Sequence, residues 1–348
     1  MIILIFLSSG LFLGWSLGAN NTANIFGAAV GTKMIRFRTA ALICGVFVTT
    51  GAIFGGSGTT HTLGELGAVN AIAGAFMVAA AAGLTVFWMT KLKIPVSASQ
   101  AIVGAILGWN LFTGSPTDYD SLTKIISTWI FCPILAAIFS IAIYSFVRFI
   151  INRMCLHLFT LDMYTRIGLI IAGAFGAYSL GANNIANVMG VFVTVAPFSD
   201  LNVANFFVFT GTEQLFLLGG LAIAVGAYTY SKRVMETVGG NILKLSPETA
   251  LIIVLAQSMV LFVFSSQGLQ HWMISHGLPG FPLVPVSSSQ AVVGAVLGIG
   301  ILRGVRGIKY HILSEIALGW IATPLLACLI SFISLFFLQN VFNQQVRL

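Results

Sequence analysis

Two short motifs place clusters of Asn, Ser and Gln inside otherwise apolar sequence, and each occurs twice. Ser16-Leu17-Gly18-Ala19-Asn20-Asn21-Thr22-Ala23-Asn24 returns as Ser179-Leu180-Gly181-Ala182-Asn183-Asn184-Ile185-Ala186-Asn187. Pro95-Val96-Ser97-Ala98-Ser99-Gln100-Ala101 returns as Pro285-Val286-Ser287-Ser288-Ser289-Gln290-Ala291. Asn, Ser and Gln supply neutral N–H and O–H donors together with amide oxygens. A buried amide without a partner costs about 1–3 kcal/mol, so six Asn in apolar runs must find something to bond. For a single Asn the simplest partner is a neighbouring helix, and Gly18, Ala19, Ala23 and Gly27 offer a small-residue packing face for that. Six in a duplicated pattern, within a segment longer than a membrane span needs, predict instead a helix break lined by ligand-facing amides.

The second motif predicts a helix start. Pro95 or Pro285 presets φ, and Ser97-x-x-Gln100 and Ser287-x-x-Gln290 match the capping-box pattern. The free N–H groups and positive dipole end of such a start make an anion site, particularly for phosphate-like oxyanions. Ser99, Ser288 and Ser289 would add hydroxyl donors. The bland alternative is an ordinary cap at the membrane surface. The histidines add little: His157, His271, His276 and His311 lie in predicted loops or edges, and His61 lies near a span end as an interfacial residue. A nucleotide loop, a Ser-His-Asp set and a carboxylate pair are all lacking from the sequence, which argues against an enzyme, a cofactor and energy from ATP hydrolysis within this chain.

The elements that must position these residues follow from composition. The chain has 348 residues, 58% of them hydrophobic and only 7% charged, with a mean hydropathy of +1.00. Soluble domains are about one-quarter charged, so a soluble protein is excluded. Runs such as 1–32, 66–90, 167–199, 249–302 and 316–346 contain no Asp, Glu, Lys or Arg, and uncharged stretches of about 18 residues read as spans of a lipid bilayer. The net charge of +7 comes from bases placed singly or in pairs between spans, a pattern that sets topology and does not suggest nucleic acid. Cys44, Cys132, Cys155 and Cys328 lack metal-ligand spacing and read as packing residues. The N-terminal apolar stretch lacks a basic flank and a cleavage site, and so reads as the first span.

The segments 1–32, 39–56, 66–90, 94–112 and 123–150 are predicted to cross the membrane, followed by 164–197, 205–230, 248–267, 284–302 and 311–340. Two further repeats, Trp129-x-x-x-Pro133 with Trp320-x-x-x-Pro324 and Thr62-Leu63-Gly64 with Thr237-Val238-Gly239, keep the same order, which marks a duplication. Extra residues of the second half fall near 198–212 and 268–284, where Gly, Pro and polar residues predict loops. An odd number of spans per repeat would make the second copy enter from the opposite face. The positive-inside rule agrees: with the 33–38 loop cytoplasmic, every Lys and Arg except Lys124 and Arg347 falls on that side. The expectation is an all-α polytopic protein of the cell membrane with both termini outside. Residues 1–150 form one repeat, 151–163 a cytoplasmic connector and 164–348 the inverted second repeat, with broken helices or hairpins at the midplane.

These motifs resemble the inorganic phosphate transporter family over essentially the whole chain. Its signature is a repeated Gly-Ala-Asn-Asp-x-x-Asn and a later Pro-Val-Ser-Thr-Ser-Gln or Pro-Val-Ser-Thr-Thr-His. The resemblance implies symport of a tetrahedral oxyanion with sodium or protons, by alternating access. It places Asn20, Asn21, Asn24, Ser97, Ser99, Gln100, Asn183, Asn184, Asn187, Ser287, Ser289 and Gln290 at substrate and cation positions, with Ser288 beside them. Asn21, Thr49, Thr50 and Asn184 are the cation-coupling candidates. The sequence departs from the pattern where Asn21 and Asn184 replace Asp, and where Val48 replaces the Glu of a Phe-Glu-Thr-Thr-Gly motif. An intramembrane carboxylate is the usual cation handle, and these substitutions leave none at the site. Phosphate is the first expectation, sulfate the second because it carries no proton and needs only donors, and a passive anion channel the alternative from another class. A homodimer is left open.

Overall fold

The computed structural model describes residues 2–67, 69–92, 96–154, 157–196, 198–203, 207–232, 234–235, 246–304 and 310–348. Pro95, Lys93, Cys155, Arg233, Lys244, Arg306, Lys309 and the 237–239 repeat lie outside the described residues, as does the side chain of His311. The helices are α1 (Ile2–Gly31), α2 (Phe37–Gly55), α3 (Ser57–Leu66), α4 (Ile72–Lys91), α5 (Ala98–Thr113), α6 (Tyr119–Met154), α7 (Leu158–Met189), α8 (Gly211–Thr229), α9 (Pro247–Val263), α10 (Gln267–Ser275), α11 (Ser288–Leu302) and α12 (Tyr310–Asn340). Six of them, α1, α2, α4, α6, α7 and α12, are long and apolar enough to cross a bilayer, and α9 with α10 forms a pair bent by 70°.

Three expectations need correction. First, α1 and α7 run unbroken through both Asn motifs, over 30 and 32 residues. The amides project sideways from intact helices, because a continuous backbone ladder already satisfies every N–H that a break would free. Second, 94–112 and 284–302 are not full spans. Their helices, α5 and α11, have 16 and 15 residues, or about 24 and 22 Å, against about 30 Å of hydrocarbon. The extended residues before each Ser bring the chain in to a helix that starts within the protein interior. Third, the two predicted loops contain structure: an antiparallel hairpin pairs Leu201–Val203 (β1) with Phe207–Phe209 (β2), and α10 occupies 267–275. The spans predicted at 66–90 and 205–230 accordingly start later, at Ile72 and Gly211. His61 lies in α3, exposed, with Nδ1 3.5 Å from Glu65.

Backbone-to-backbone packing at glycine repeats the same contacts in both halves. A Cβ on Gly18 would strike the Ile223 carbonyl of α8, and one on its repeat Gly181 would strike the Val48 carbonyl of α2. Gly51 meets Tyr178, and its counterpart Gly226 meets Trp15. In the half-helices, Gly104 lies on the Pro324 carbonyl of α12, and Gly294 on the Pro133 carbonyl of α6. Without an attractive solvent term between helices in lipid, such close approach is what drives their association. Within each pair the residue numbers rise together (Gly104 with Pro324, Gly108 with Cys328; Gly294 with Pro133, Gly298 with Ala137), so the paired helices are parallel. Cys44 and Cys132 are buried, free packing residues, and Cys328 is half-buried and free.

Candidate functional site

Each half-helix begins with a buried serine in extended conformation. Ser97 (φ −110°, ψ 113°) accepts a hydrogen bond from the Gln100 backbone N–H at 3.3 Å, and Ser287 (φ −85°, ψ 114°) accepts one from Gln290 at 3.3 Å. The reciprocal arm of the predicted capping box is not made: Gln100 Oε1 and Gln290 Oε1 are buried without a partner. Where the box does close, at Thr210, the Glu213 carboxylate accepts from the Thr210 N–H at 2.8 Å. The two glutamines thus cap through the backbone only, and their amide oxygens stay available.

The two long helices bring their asparagines to these starts, each reaching the half-helix of the other repeat as well as its own surroundings. Asn24 Nδ2 donates to Ser288 Oγ at 3.2 Å, and Asn187 Nδ2 donates to Ser99 Oγ at 3.0 Å. Ser99 Oγ in turn donates to the Val286 carbonyl at 3.0 Å, so the entry to α11 touches the start of α5. Ser287 and Ser289 share a hydrogen bond at 2.9 Å. Asn183 is fully buried; its Nδ2 donates to the Val284 carbonyl at 3.2 Å and its Oδ1 accepts from the Val286 N–H at 2.9 Å. Its counterpart Asn20 is half-buried, with Nδ2 3.5 Å from both the Val96 carbonyl and Asn21 Oδ1. Asn184 Oδ1 accepts from Asn187 Nδ2 at 3.0 Å, while Asn184 Nδ2 donates to the Leu180 carbonyl at 3.2 Å. The structure therefore joins all thirteen predicted substrate-site residues into one four-helix junction. Thr49 and Thr50 stand apart from it: their hydroxyls donate to carbonyls of their own helix, those of Gly45 and Val46, at 2.8 Å.

The electrostatics of this junction favour an anion. Two helix N-termini, each worth about half a positive charge, point into it, and among the described residues no charged side chain bonds to any of its members. Four amide oxygens nonetheless lack partners: those of Gln100, Gln290, Asn187 and Gln257. Each costs about 1–3 kcal/mol unmet, so together they call for a ligand that donates or carries positive charge. Gln257 was not foreseen. It lies fully buried on α9 and donates through Nε2 to the Asn24 carbonyl at 2.6 Å. Gly83 lies against Leu13, while Gly176, the repeat of Leu13, lies against Ser258. Gln257 therefore stands where the first half has Ala82, and a search for repeats passes over it. Its legible signal was an amide within an uncharged run.

Against known proteins, a model of the phosphate transporter family matches residues 17–331 and 280–347. The chain belongs to the phosphate transporter family. A family member at 26% identity, named a putative phosphate permease of Methanocaldococcus jannaschii, aligns over 92% of this chain and 93% of its own length. A second, named the sulfate permease CysP of Bacillus subtilis, is 27% identical over 93% of this chain and 84% of its own. Among solved structures, one titled a sodium-dependent phosphate transporter superposes with a TM-score of 0.77 at 22% identity, covering 98% of this chain and all of the other. The fold is thus that of a known membrane transporter, and the relatives are permeases, not enzymes.

Proposed function

We propose that this chain is a secondary active transporter of a tetrahedral inorganic oxyanion, phosphate first, working by alternating access in the cell membrane. The observation that carries this reading is the meeting of two serine-capped half-helix starts between two asparagine-bearing helices at an uncharged junction. Backbone N–H groups, serine hydroxyls and asparagine amides supply the donors a tetrahedral anion needs. The unmet oxygens of Gln100, Gln290, Asn187 and Gln257 are neutral ligands for a coupling cation, sodium by preference, in place of the carboxylates that Asn21 and Asn184 lack.

The inverted arrangement of residues 1–150 and 164–348 is part of the proposal. The five-residue link 32–36 returns the chain antiparallel from α1 to α2, yet α1 packs parallel to α8 and α2 parallel to α7. Equivalent helices of the two halves then run in opposite directions, which supports entry from opposite faces, and the sorting of Lys and Arg supports external termini. The half-burial of Asn20 and Asn24 against full burial of Asn183 and Asn187 supports a resting state reached from the side where α5 enters, the cytoplasm.

Sulfate is the second reading, because it carries no proton and needs only donors, and none of the thirteen junction residues is a carboxylate. Uptake of labelled phosphate and sulfate into proteoliposomes, with and without sodium or proton gradients, separates the readings. Accumulation against the substrate gradient is expected; equilibration alone would make the protein a channel. Uptake undiminished in Ser97→Ala plus Ser287→Ala would overturn the site assignment.

A further inference from the structure

Away from the junction, where the end of α11 meets the start of α9 and the last turns of α6, there is a cavity of about 210 Å³. None of the repeated motif residues lines it. Its polar walls are Tyr144, Arg148, Ser246, Glu248, Thr249 and Arg303. Arg303 closes α11 and is held in a fixed orientation. Its Nη2 donates to Thr249 Oγ1 at 2.7 Å, and its guanidinium carbon lies 5.7 Å from the centre of the Tyr144 ring. Thr249 is itself tied to Ser246, the cap of α9, by a 2.8 Å hydroxyl contact. Arg148 lies one turn beyond Tyr144 on the same face of α6. It hydrogen-bonds no described residue and joins no ion pair among them.

Two arginines and one carboxylate, Glu248, line the cavity beside the capped start of α9, so its charged side chains carry an excess of positive charge. The two arginines come from different helices, α6 and the end of α11, and a guanidinium fork can hold a phosphate group by more than one oxygen. The charge distribution of the chain puts this end of the molecule at the cytoplasmic face, where anionic lipids concentrate and where basic pockets between membrane helices hold their head groups.

We propose that this cavity is a second, non-transporting oxyanion site that binds a phosphate group between Arg148 and Arg303, carried by an anionic phospholipid or by free inorganic phosphate. It does not depend on the transport reading, because neither its residues nor its test involves substrate passage.

The test is retention of lipid by the full-length protein, purified and depleted of lipid, after exposure to phosphatidylglycerol, to phosphatidylcholine or to inorganic phosphate alone. Native mass spectrometry then counts bound molecules. Wild-type protein is expected to retain phosphatidylglycerol over phosphatidylcholine. An Arg148→Gln plus Arg303→Gln variant should lose at least tenfold in affinity, and Arg148→Lys plus Arg303→Lys should recover part of it. Binding of inorganic phosphate that disappears in the Gln pair while lipid retention does not would identify free phosphate as the source. Equal retention of both ligands by wild type and the Gln pair, with unchanged thermal melting of the variant, overturns the proposal. If the Gln pair fails to fold, the Lys pair and the single Arg148→Gln variant carry the same comparison, since Arg148 supports no described contact.

Discussion

Asn187 of the second half hydrogen-bonds Ser99 of the first, Nδ2 to Oγ at 3.0 Å, across 88 positions of sequence. The same hydroxyl donates to the Val286 carbonyl, so one serine links α7, the start of α5 and the entry to α11. Ser99→Ala removes both bonds. At about 1–1.5 kcal/mol for a typical hydrogen bond, oxyanion affinity measured by calorimetry is expected to fall about fivefold to tenfold. Unchanged affinity would detach this serine from the site.

Asn21→Asp and Asn184→Asp return a negative charge to the junction. Repulsion should weaken binding of a dianion, and the new carboxylate should strengthen dependence on sodium. Parallel sulfate and phosphate uptake against sodium concentration reads both effects. A variant that carries sulfate as well as the wild type, with no added sodium dependence, would show that residues 21 and 184 do not face the ligands.

Gln257→Leu removes an unmet oxygen and leaves the Asn24 carbonyl without its 2.6 Å donor. Cation dependence of uptake is expected to weaken while the protein still folds, since leucine fits the apolar surroundings of α9. The measurement is the sodium concentration giving half-maximal uptake. If this value stays constant while uptake falls, Gln257 serves packing alone.

Gly104→Ala and Gly294→Ala push a methyl group into the Pro324 and Pro133 carbonyls. Because backbone must move, each should destabilise by about 1–3 kcal/mol, seen as a lower melting temperature in detergent. Gly64→Ala is the control. No atom lies within 4 Å of its added Cβ, and in a helix alanine is favoured over glycine by about 1 kcal/mol, so its melting temperature should hold or rise.

Histidine is the side chain that ordinarily titrates between about pH 5 and 8, and among the described residues none bonds to the junction; His61 is engaged with Glu65 on the exposed face of α3. Sulfate uptake under a fixed sodium gradient is therefore expected to stay flat over that range. Phosphate uptake should follow only the change of phosphate from monoanion to dianion. A bell-shaped profile for sulfate would point to a titrating group at the site.

Much of this architecture was legible in the residues. Uncharged runs marked the long helices, and the duplicated Asn and Ser motifs named all thirteen junction residues. The cap at Ser97 could be read locally because Ser-x-x-Gln is a contact over three positions. The continuity of α1 could not be read in that way. Asn20, Asn21 and Asn24 are compatible with both a break and an intact helix, and only their neighbours decide which leaves fewer backbone groups unbonded.

What the sequence by itself determined is therefore the membrane class, the duplication and the chemical types at the site, since these follow from composition, period and spacing along the chain. The tertiary structure alone decided that α5 and α11 stop short of spanning and that their starts meet. It decided too that Asn24 bonds Ser288, 264 positions away, although repeat alignment of Ser99 would select Ser289, and that Gln257 joins the site without a repeat partner. Such choices depend on how closely separate helices approach. That distance is set by glycine-to-carbonyl packing between α5 and α12 and between α11 and α6, contacts that local patterns of hydrophobicity and capping do not encode.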